Sequence, residues 1–348
     1  MFRVANKTIG KEYKPFIIAE VSANHGGKIQ RAKDTILAAK RAGADAVKIQ
    51  TYTPDTMTIN VNKKDFLITE GLWKGYNLYQ LYKEASTPFD WHKELFEFAR
   101  SHKILLFSTP FDETAVDLLE TLDTPAYKIA SFEITDLPLI DYVSSKRKPM
   151  FISTGMADID EISEALELCY KNNNRDILLF HCISNYPADP WNSHLGDISY
   201  LANYFKVQVG LSDHTTSNLA SVLAIAKGAS AIEKHFKLDE VECGPDSSFS
   251  ILPDQLKSLC YDCECAFQAI KSNELRRNPN ELANKKFRRS IYFVRRLTKG
   301  QKITDKDIKR IRPGYGLEPK YFDWVIGKKV KVNVDIGDAV TLDIILDE

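Results

Sequence analysis

The run SAIEKHF (230–236) places Glu233, Lys234 and His235 at the tip of an apolar stretch, and VGLSDHT (209–215) closes in the same manner on His214. Two imidazoles carried at the ends of adjacent extended runs can reach one divalent cation, with water and substrate oxygens filling the other positions. The alternative is that each ring hydrogen-bonds a neighbouring strand. Other apolar runs end on comparable chemistry: Glu20, Asn24 and His25; Lys48 and Gln50; Ser108 and Thr109; Lys128 and Ser131; Ser153 and Thr154; His181, Ser184 and Tyr186; Ser212 and Asp213. Burying such groups unpaired costs about 1–3 kcal/mol each. Gathering them at one rim therefore implies a polar ligand or a metal that completes them. Lys48 and Lys128 would offer fixed positive charge to a phosphate or carboxylate, with Ser131, Ser153, Ser184 and Ser212 as hydroxyl donors. A strand lysine also permits a Schiff-base nucleophile, so Lys128 leaves a class I aldolase open.

The elements that would position these groups alternate along the chain. Short apolar runs at 16–22, 45–50, 104–110, 126–131, 150–155, 177–184, 207–214 and 231–236 are separated by amphipathic stretches such as IQRAKDTILAAKRAG and DEISEALELCYKNN. Eight such repeats predict an α/β fold, a (β/α)8 barrel of the TIM type, with parallel strands and a site built at their C-terminal ends. An open doubly wound sheet would need a glycine-rich phosphate turn after an early strand, and the sequence has none. The connection from Thr51 to Phe89 is long and carries Trp73, Tyr76, Tyr79 and Tyr82; it shapes a pocket or packs on its own aromatics. The expected organisation is a barrel over 1–272, a polar linker over 273–286 and a small, mostly β module over 287–348, with turns at Lys299-Gly300 and Ile336-Gly337 and helix confined to DKDIKR and PKYFDW.

Composition narrows the partners. The 348 residues balance 47 Lys plus Arg against 47 Asp plus Glu, which points to neither a nucleic-acid nor a membrane partner through bulk charge. The first fifteen residues lack the apolar core of a secretory leader and no window is long enough for a membrane span, so a cytoplasmic location is expected. Cys260, Cys263 and Cys265 form a CxxCxC run inside a helical pattern with no nearby histidine, and they read as reduced thiols.

The stretches IIAEVSANHGG, AGADAVKIQTYTPDT, FSTPFD, YKIASFE, ISTGMA, VGLSDHT, AIEKHF and GPDSSFS, followed by IRPGYGL, resemble the sialic acid synthase family in order and from about Phe16 to the C-terminus. That family joins phosphoenolpyruvate to an amino-sugar aldehyde and releases phosphate by C–O cleavage. The resemblance implies that His214 and His235 hold Mn2+ or Mg2+. It implies that Lys48, Lys128, Ser131, Ser153 and Ser212 hold phosphoenolpyruvate, and that Glu20, Gln50, Glu133, Tyr186 and Asp246 lie near the sugar, with Thr109 and Ser184 among the binding residues. Glu20 is the candidate base. The tail is similar to the antifreeze-like (SAF, β-clip) module of these synthases, which implies a homodimer in which Phe287 and Arg312 serve the partner's active site. QTYTPDTMT, GLWKGYNLYQLYKEASTPFDWH and DSSFS look most like the pseudaminic acid branch, whose sugar is 2,4-diacetamido-2,4,6-trideoxy-L-altrose. Ser184 and Ser247 depart from the N-acetylneuraminate pattern; neuraminate and legionaminate synthesis remain the alternatives.

Overall fold

The computed structural model describes residues 1–241, 243–271 and 278–346. The chain divides into two compact units, Met1–Lys271 and Ser272–Glu348. In the first, eight parallel strands close a barrel in sequence order: β1 (Phe16–Glu20), β2 (Ala46–Thr51), β3 (Leu105–Pro110), β4 (Tyr127–Ile129), β5 (Met150–Ser153), β6 (Ile177–Cys182), β7 (Gln208–Asp213) and β8 (Ala231–His235), with β8 beside β1. The principal helices are α1 (Ile29–Ala42), α2 (Phe89–Ser101), α3 (Glu113–Thr121), α4 (Leu137–Ser145), α5 (Ile159–Lys171), α6 (Gly196–Phe205), α7 (Leu219–Ala226) and α8 (Pro253–Ile270). The expected barrel is the observed one.

Both faces of each strand are buried, which is why the runs read as continuously apolar. Ile17, Val47, Leu106, Ile129, Ile152, Leu179, Val209 and Ile232 face the helices, while Phe16, Ile18, Phe107, Phe151, Leu178 and Phe180 fill the barrel. Gly210 makes room for that filling, because a Cβ there would stand 2.7 Å from the Phe180 ring. A hairpin of Phe2–Val4 and Lys7–Ile9 adds Phe2, Val4 and Ile9 to the same interior cluster. These residues plug the end where the strands begin, so the polar side chains collect at the other end.

Lys234 answers one question raised by SAIEKHF. Strand alternation turns it away from the barrel interior, where its ammonium, fully buried, meets Asp213 Oδ2 at 2.8 Å, Thr215 O at 2.6 Å and Ser217 O at 2.8 Å. Asp213 also accepts from Ser221 Oγ on α7 at 2.6 Å. Lys234→Met is expected to cost about 3–5 kcal/mol in urea denaturation by leaving the Asp213 carboxylate buried without a counter-charge. Lys234→Met/Asp213→Leu should recover most of that loss.

Cys260 and Cys263 lie in α8, Cys263 fully buried and Cys265 exposed. Burial pushes the Cys260 and Cys263 thiols up to about 12. In the second unit Ser290–Phe293 pairs with Ile308–Ile311 and Lys329–Val330 with Ile345–Leu346, around a core of Ile291, Phe293, Ile303, Ile308, Val330 and Val340. Gly300 and Gly337 take the positive φ of the expected turns. The segment DKDIKR differs from expectation: it is a turn leading into the strand Ile308–Ile311, whose Ile308 is buried in the core. Pro319–Tyr321 and Phe322–Val325 are helical turns, as expected. Of the expected linker 273–286, residues 273–277 lie outside the described residues; Pro279–Leu282 and Ala283–Phe287 form short helical turns. Among the described residues no helix is long and apolar enough to cross a membrane.

Candidate active site

At the C-terminal ends of the strands lies a cavity of about 520 Å³. Its floor is set by register. Glu20 pairs with Lys48 on one side and with His235 on the other, and Glu233 pairs with Ser212. Strand alternation then sends Glu233 and His235 inward together, with Lys234 outward. Glu233 is the hub: its Oε1 accepts from Lys128 Nζ at 3.0 Å and Ser212 Oγ at 3.0 Å, and lies 3.4 Å from Lys48 Nζ. Lys48 also pairs with Glu20 and donates to Thr109 Oγ1 at 3.2 Å.

Burial and charge compete in this cluster. Burial drives Glu20 up to about 7, against the pull of Lys48. Burial also opposes ionisation of Glu233, but Lys128 and Lys48 outweigh it and hold that carboxyl down at about 2. Lys48 is raised because Glu20 and Glu233 overcome burial, whereas burial lowers Lys128 despite Glu233. Glu20 is thus the member that can change protonation near neutral pH.

The imidazoles of His214 and His235 lie with ring centroids 5.5 Å apart. Burial lowers His214 to about 4 and His235 well below its usual value, so both rings are neutral, the form that ligates a metal. His214 Nδ1 donates to Ile183 O at 2.9 Å, which leaves Nε2 with its lone pair. His235 Nδ1 is buried with no hydrogen-bond partner. This donor set fits a divalent cation. Among the described residues no group of three or more His, Cys, Asp or Glu gathers at one point, so water and substrate would complete the coordination. Tyr186 lies over the pair, its ring 4.4 Å from that of His214 and 5.6 Å from that of Trp73.

The structure brings Glu20, Lys48, Gln50, Thr109, Lys128, Ser131, Glu133, Ser153, Tyr186, Ser212, His214, His235 and Asp246 to this one cavity. Ser184 joins through Ser131, its hydroxyl 2.8 Å away, and Asp246 is bonded to Ser22 Oγ. Other strand-end groups are spent elsewhere. Asn24 donates to Phe236 O and Ser250 Oγ, His25 packs edge-on against Trp91, and Ser108 donates to Ile49 O. Thr154 donates to Phe180 O, His181 bonds Ser193 O and Asp213 holds Lys234. Phe287 and Arg312 are exposed residues of the second unit. Sequence reasoning gave Glu233 no role in the site, and it overlooked Ser22, Tyr52, Phe111 and Cys182, which also line the cavity. The long insertion contributes Trp73 and Tyr82 to the cavity, whereas Tyr76 and Tyr79 bond Glu84 and Asp55 at the surface.

Glu133 Oε2 is buried without a partner, and burial, aided by Asp136, raises this carboxyl to about 7. A carboxyl raised from its ordinary value contributes most at pH below about 4.5 and loses that contribution as pH climbs through about 7. Glu133→Gln is therefore expected to be neutral in stability at pH 4.5 and stabilising by about 2–3 kcal/mol above pH 8, read by urea denaturation at both pH values.

Comparisons with known proteins agree with this geometry. The NeuB family matches residues 35–274 and the SAF domain residues 288–345. A pseudaminic acid synthase of Campylobacter jejuni is 42% identical over 94% of this chain and 95% of its own length, and one of Helicobacter pylori is 43% identical over 94% and 97%. The crystal structure of an N-acetylneuraminic acid synthetase from Leptospira borgpetersenii in complex with citrate superposes with a TM-score of 0.73 at 29% identity, covering 81% of this chain and 94% of that one. The family match takes in seven of the eight barrel strands and most of the residues that line the cavity, and the chain belongs to the NeuB family.

Proposed function

We propose that this chain is a pseudaminic acid synthase, which condenses phosphoenolpyruvate with 2,4-diacetamido-2,4,6-trideoxy-L-altrose and releases phosphate. The observation that carries the reading is two buried ammoniums and the hydroxyls of Ser131, Ser153 and Ser212 lining one cavity with two neutral imidazoles. An anion as highly charged as phosphoenolpyruvate needs such fixed counter-charge where water is excluded. The reaction is placed in the cytoplasm, where phosphoenolpyruvate is made. Domain limits of 1–272 and 287–348, joined by 273–286, go with this reading. So does a homodimer in which Phe287 and Arg312 act on the partner's substrate; the exposure of both side chains supports it.

His214 and His235 would hold Mn2+ or Mg2+, which when bound supplies Lewis-acid polarisation of the sugar aldehyde. Lys48, Lys128, Ser131, Ser153 and Ser212 bind the phosphate and carboxylate and fix the enol carbon toward the aldehyde. As C3 bonds to the aldehyde carbon, positive charge develops at C2, and Glu233 and Glu20 are the carboxylates beside it. Glu20, ionised in part near neutral pH, takes a proton from the water that adds at C2. The proton taken by Glu20 is passed to the aldehyde oxygen; the new C2 hydroxyl then gives its proton to the departing phosphate as the bond from C2 to the phosphate oxygen breaks, leaving the C2 ketone. Gln50, Glu133, Tyr186 and Asp246 orient the sugar, with Thr109 and Ser184 among the binding residues.

The test is incubation with phosphoenolpyruvate, Mn2+ and a panel of aldehyde sugars, with phosphate release measured and products read by mass. The diacetamido trideoxy altrose should give the largest kcat/KM. Preference for N-acetylmannosamine, or for the 2,4-diacetamido mannose analogue, would move the assignment to neuraminate or legionaminate synthesis.

A further inference from the structure

The two imidazoles of the site are held in different ways. His214 is steered by a hydrogen bond, its Nδ1 donating to Ile183 O at 2.9 Å. His235 lacks that bond, because its Nδ1 is buried without a partner. A metal-ligating histidine ordinarily has its ring set by a hydrogen bond from its second nitrogen. The orientation of His235 therefore rests on packing.

Three aromatic rings surround it. Phe249 stands edge-on with centroids 4.9 Å apart, His214 lies at 5.5 Å and Tyr186 at 6.2 Å. His214 and Tyr186 line the cavity, whereas Phe249 is 2% exposed and is not among the residues that line it. The same phenyl ring lies 5.3 Å from that of Tyr186, so one buried side chain braces both neighbours.

Phe249 is itself pinned on both sides. It closes the short helical turn Ser247–Phe249 in the loop after β8. Before it, Ser247 Oγ donates to Asn24 Oδ1 at 3.0 Å; after it, Ser250 Oγ accepts from Asn24 Nδ2 at 2.8 Å and donates to Asp246 O at 2.6 Å. Ile251 N then donates to the backbone oxygen of His235 at 2.9 Å. The loop thus returns to the strand end that it left, and buried bonds fix the backbone that carries the phenyl ring.

Resting on the reading of His214 and His235 as metal ligands, we propose that Phe249 is the positioning residue for His235, holding its imidazole for a divalent cation as Ile183 O holds that of His214. A ligand locked by packing is already in place when the cation arrives. Without the phenyl group the imidazole can turn into the space left behind. Apparent affinity then falls in proportion to the fraction of rings that keep the binding orientation.

The experiment titrates Mn2+ into the full chain by calorimetry, beside urea denaturation and KM for phosphoenolpyruvate. Phe249→Ala should weaken Mn2+ binding by about 10–100-fold, the range typical of groups that orient a metal ligand. Phe249→Leu, which keeps most of the volume, should weaken it less, and it decides the matter alone if Phe249→Ala does not fold. At saturating Mn2+, KM for phosphoenolpyruvate should stay unchanged in both. Leu259→Ala, at a fully buried position of α8, controls for lost stability and should bind Mn2+ as wild type does. Unchanged Mn2+ affinity in the Phe249 variants, or an equal loss in Leu259→Ala, overturns the positioning role and leaves the metal reading intact. A wild type that takes up neither Mn2+ nor Mg2+ overturns the metal reading itself.

Discussion

His235→Ala should abolish both metal binding and turnover while the chain stays folded, and His214→Ala should do the same. The site offers two imidazoles and no larger group of protein ligands among the described residues, so each substitution removes half of what the protein contributes. Electrophilic polarisation by a bound cation is worth several kcal/mol, and about 4 kcal/mol corresponds to a thousandfold in rate. A loss of about 10³ or more in kcat is expected for either variant. Stability should behave differently. His235 Nδ1 is buried without a partner, so its removal relieves an unsatisfied group and offsets part of the cavity left behind. His214→Ala forfeits the bond to Ile183 O and should be the less stable of the two. Titration calorimetry with Mn2+, phosphate release and urea denaturation separate these effects. Full turnover in either variant would remove its imidazole from the metal site.

Lys128→Met should raise KM for phosphoenolpyruvate by a factor of about 30 to several thousand. Truncating one partner of a buried, hydrogen-bonded charge pair costs about 2–5 kcal/mol, and Lys128 shares Glu233 Oε1 with Lys48 and Ser212. Without it, Glu233 would face the incoming anion with only Lys48 to neutralise both. Affinity for Mn2+ should change far less, which distinguishes this variant from the histidine pair. Because burial lowers Lys128, the same ammonium has the property that Schiff-base lysines exploit. Borohydride with pyruvate is the discriminating reagent. The condensing mechanism predicts no covalent adduct on wild type and full dependence on the cation, whereas trapping at Lys128 with indifference to chelators would restore the aldolase reading.

The barrel was legible because its signal is local and repeated: each strand is apolar on both faces, and each helix carries its own period. That His214 and His235 share one cavity was legible for a related reason, since His235 ends β8, His214 follows β7 directly and those two strands are neighbours. Glu233 was passed over for a role in the site because its function depends on Lys48 and Lys128, which arrive from β2 and β4 and have no fixed spacing to β8. The outward turn of Asp213 and Lys234 follows from strand alternation, yet their pairing depends on register that spacing alone does not supply. The N-terminal hairpin was missed because strands of three residues are too short for a period to emerge. DKDIKR read as helix on the strength of Lys306, Lys309 and Arg310, which favour helix; the buried Ile308 and the pairing of Ile308–Ile311 with Ser290–Phe293 override that preference. In the insertion, aromatic residues drew notice while Met57, Ile68, Leu78 and Leu81 did not, because a cavity wall and a small core look alike in composition.

The most direct test of the condensing chemistry is the fate of the bridging oxygen of phosphoenolpyruvate. With that oxygen labelled as 18O, and with the diacetamido trideoxy altrose and Mn2+ present, mass spectrometry should find the label in the released phosphate and none in the nine-carbon product. Unlabelled phosphate together with a labelled product would mean that the P–O bond breaks, and would contradict the addition of water at C2 on which the roles of Glu20, Lys48 and Lys128 rest.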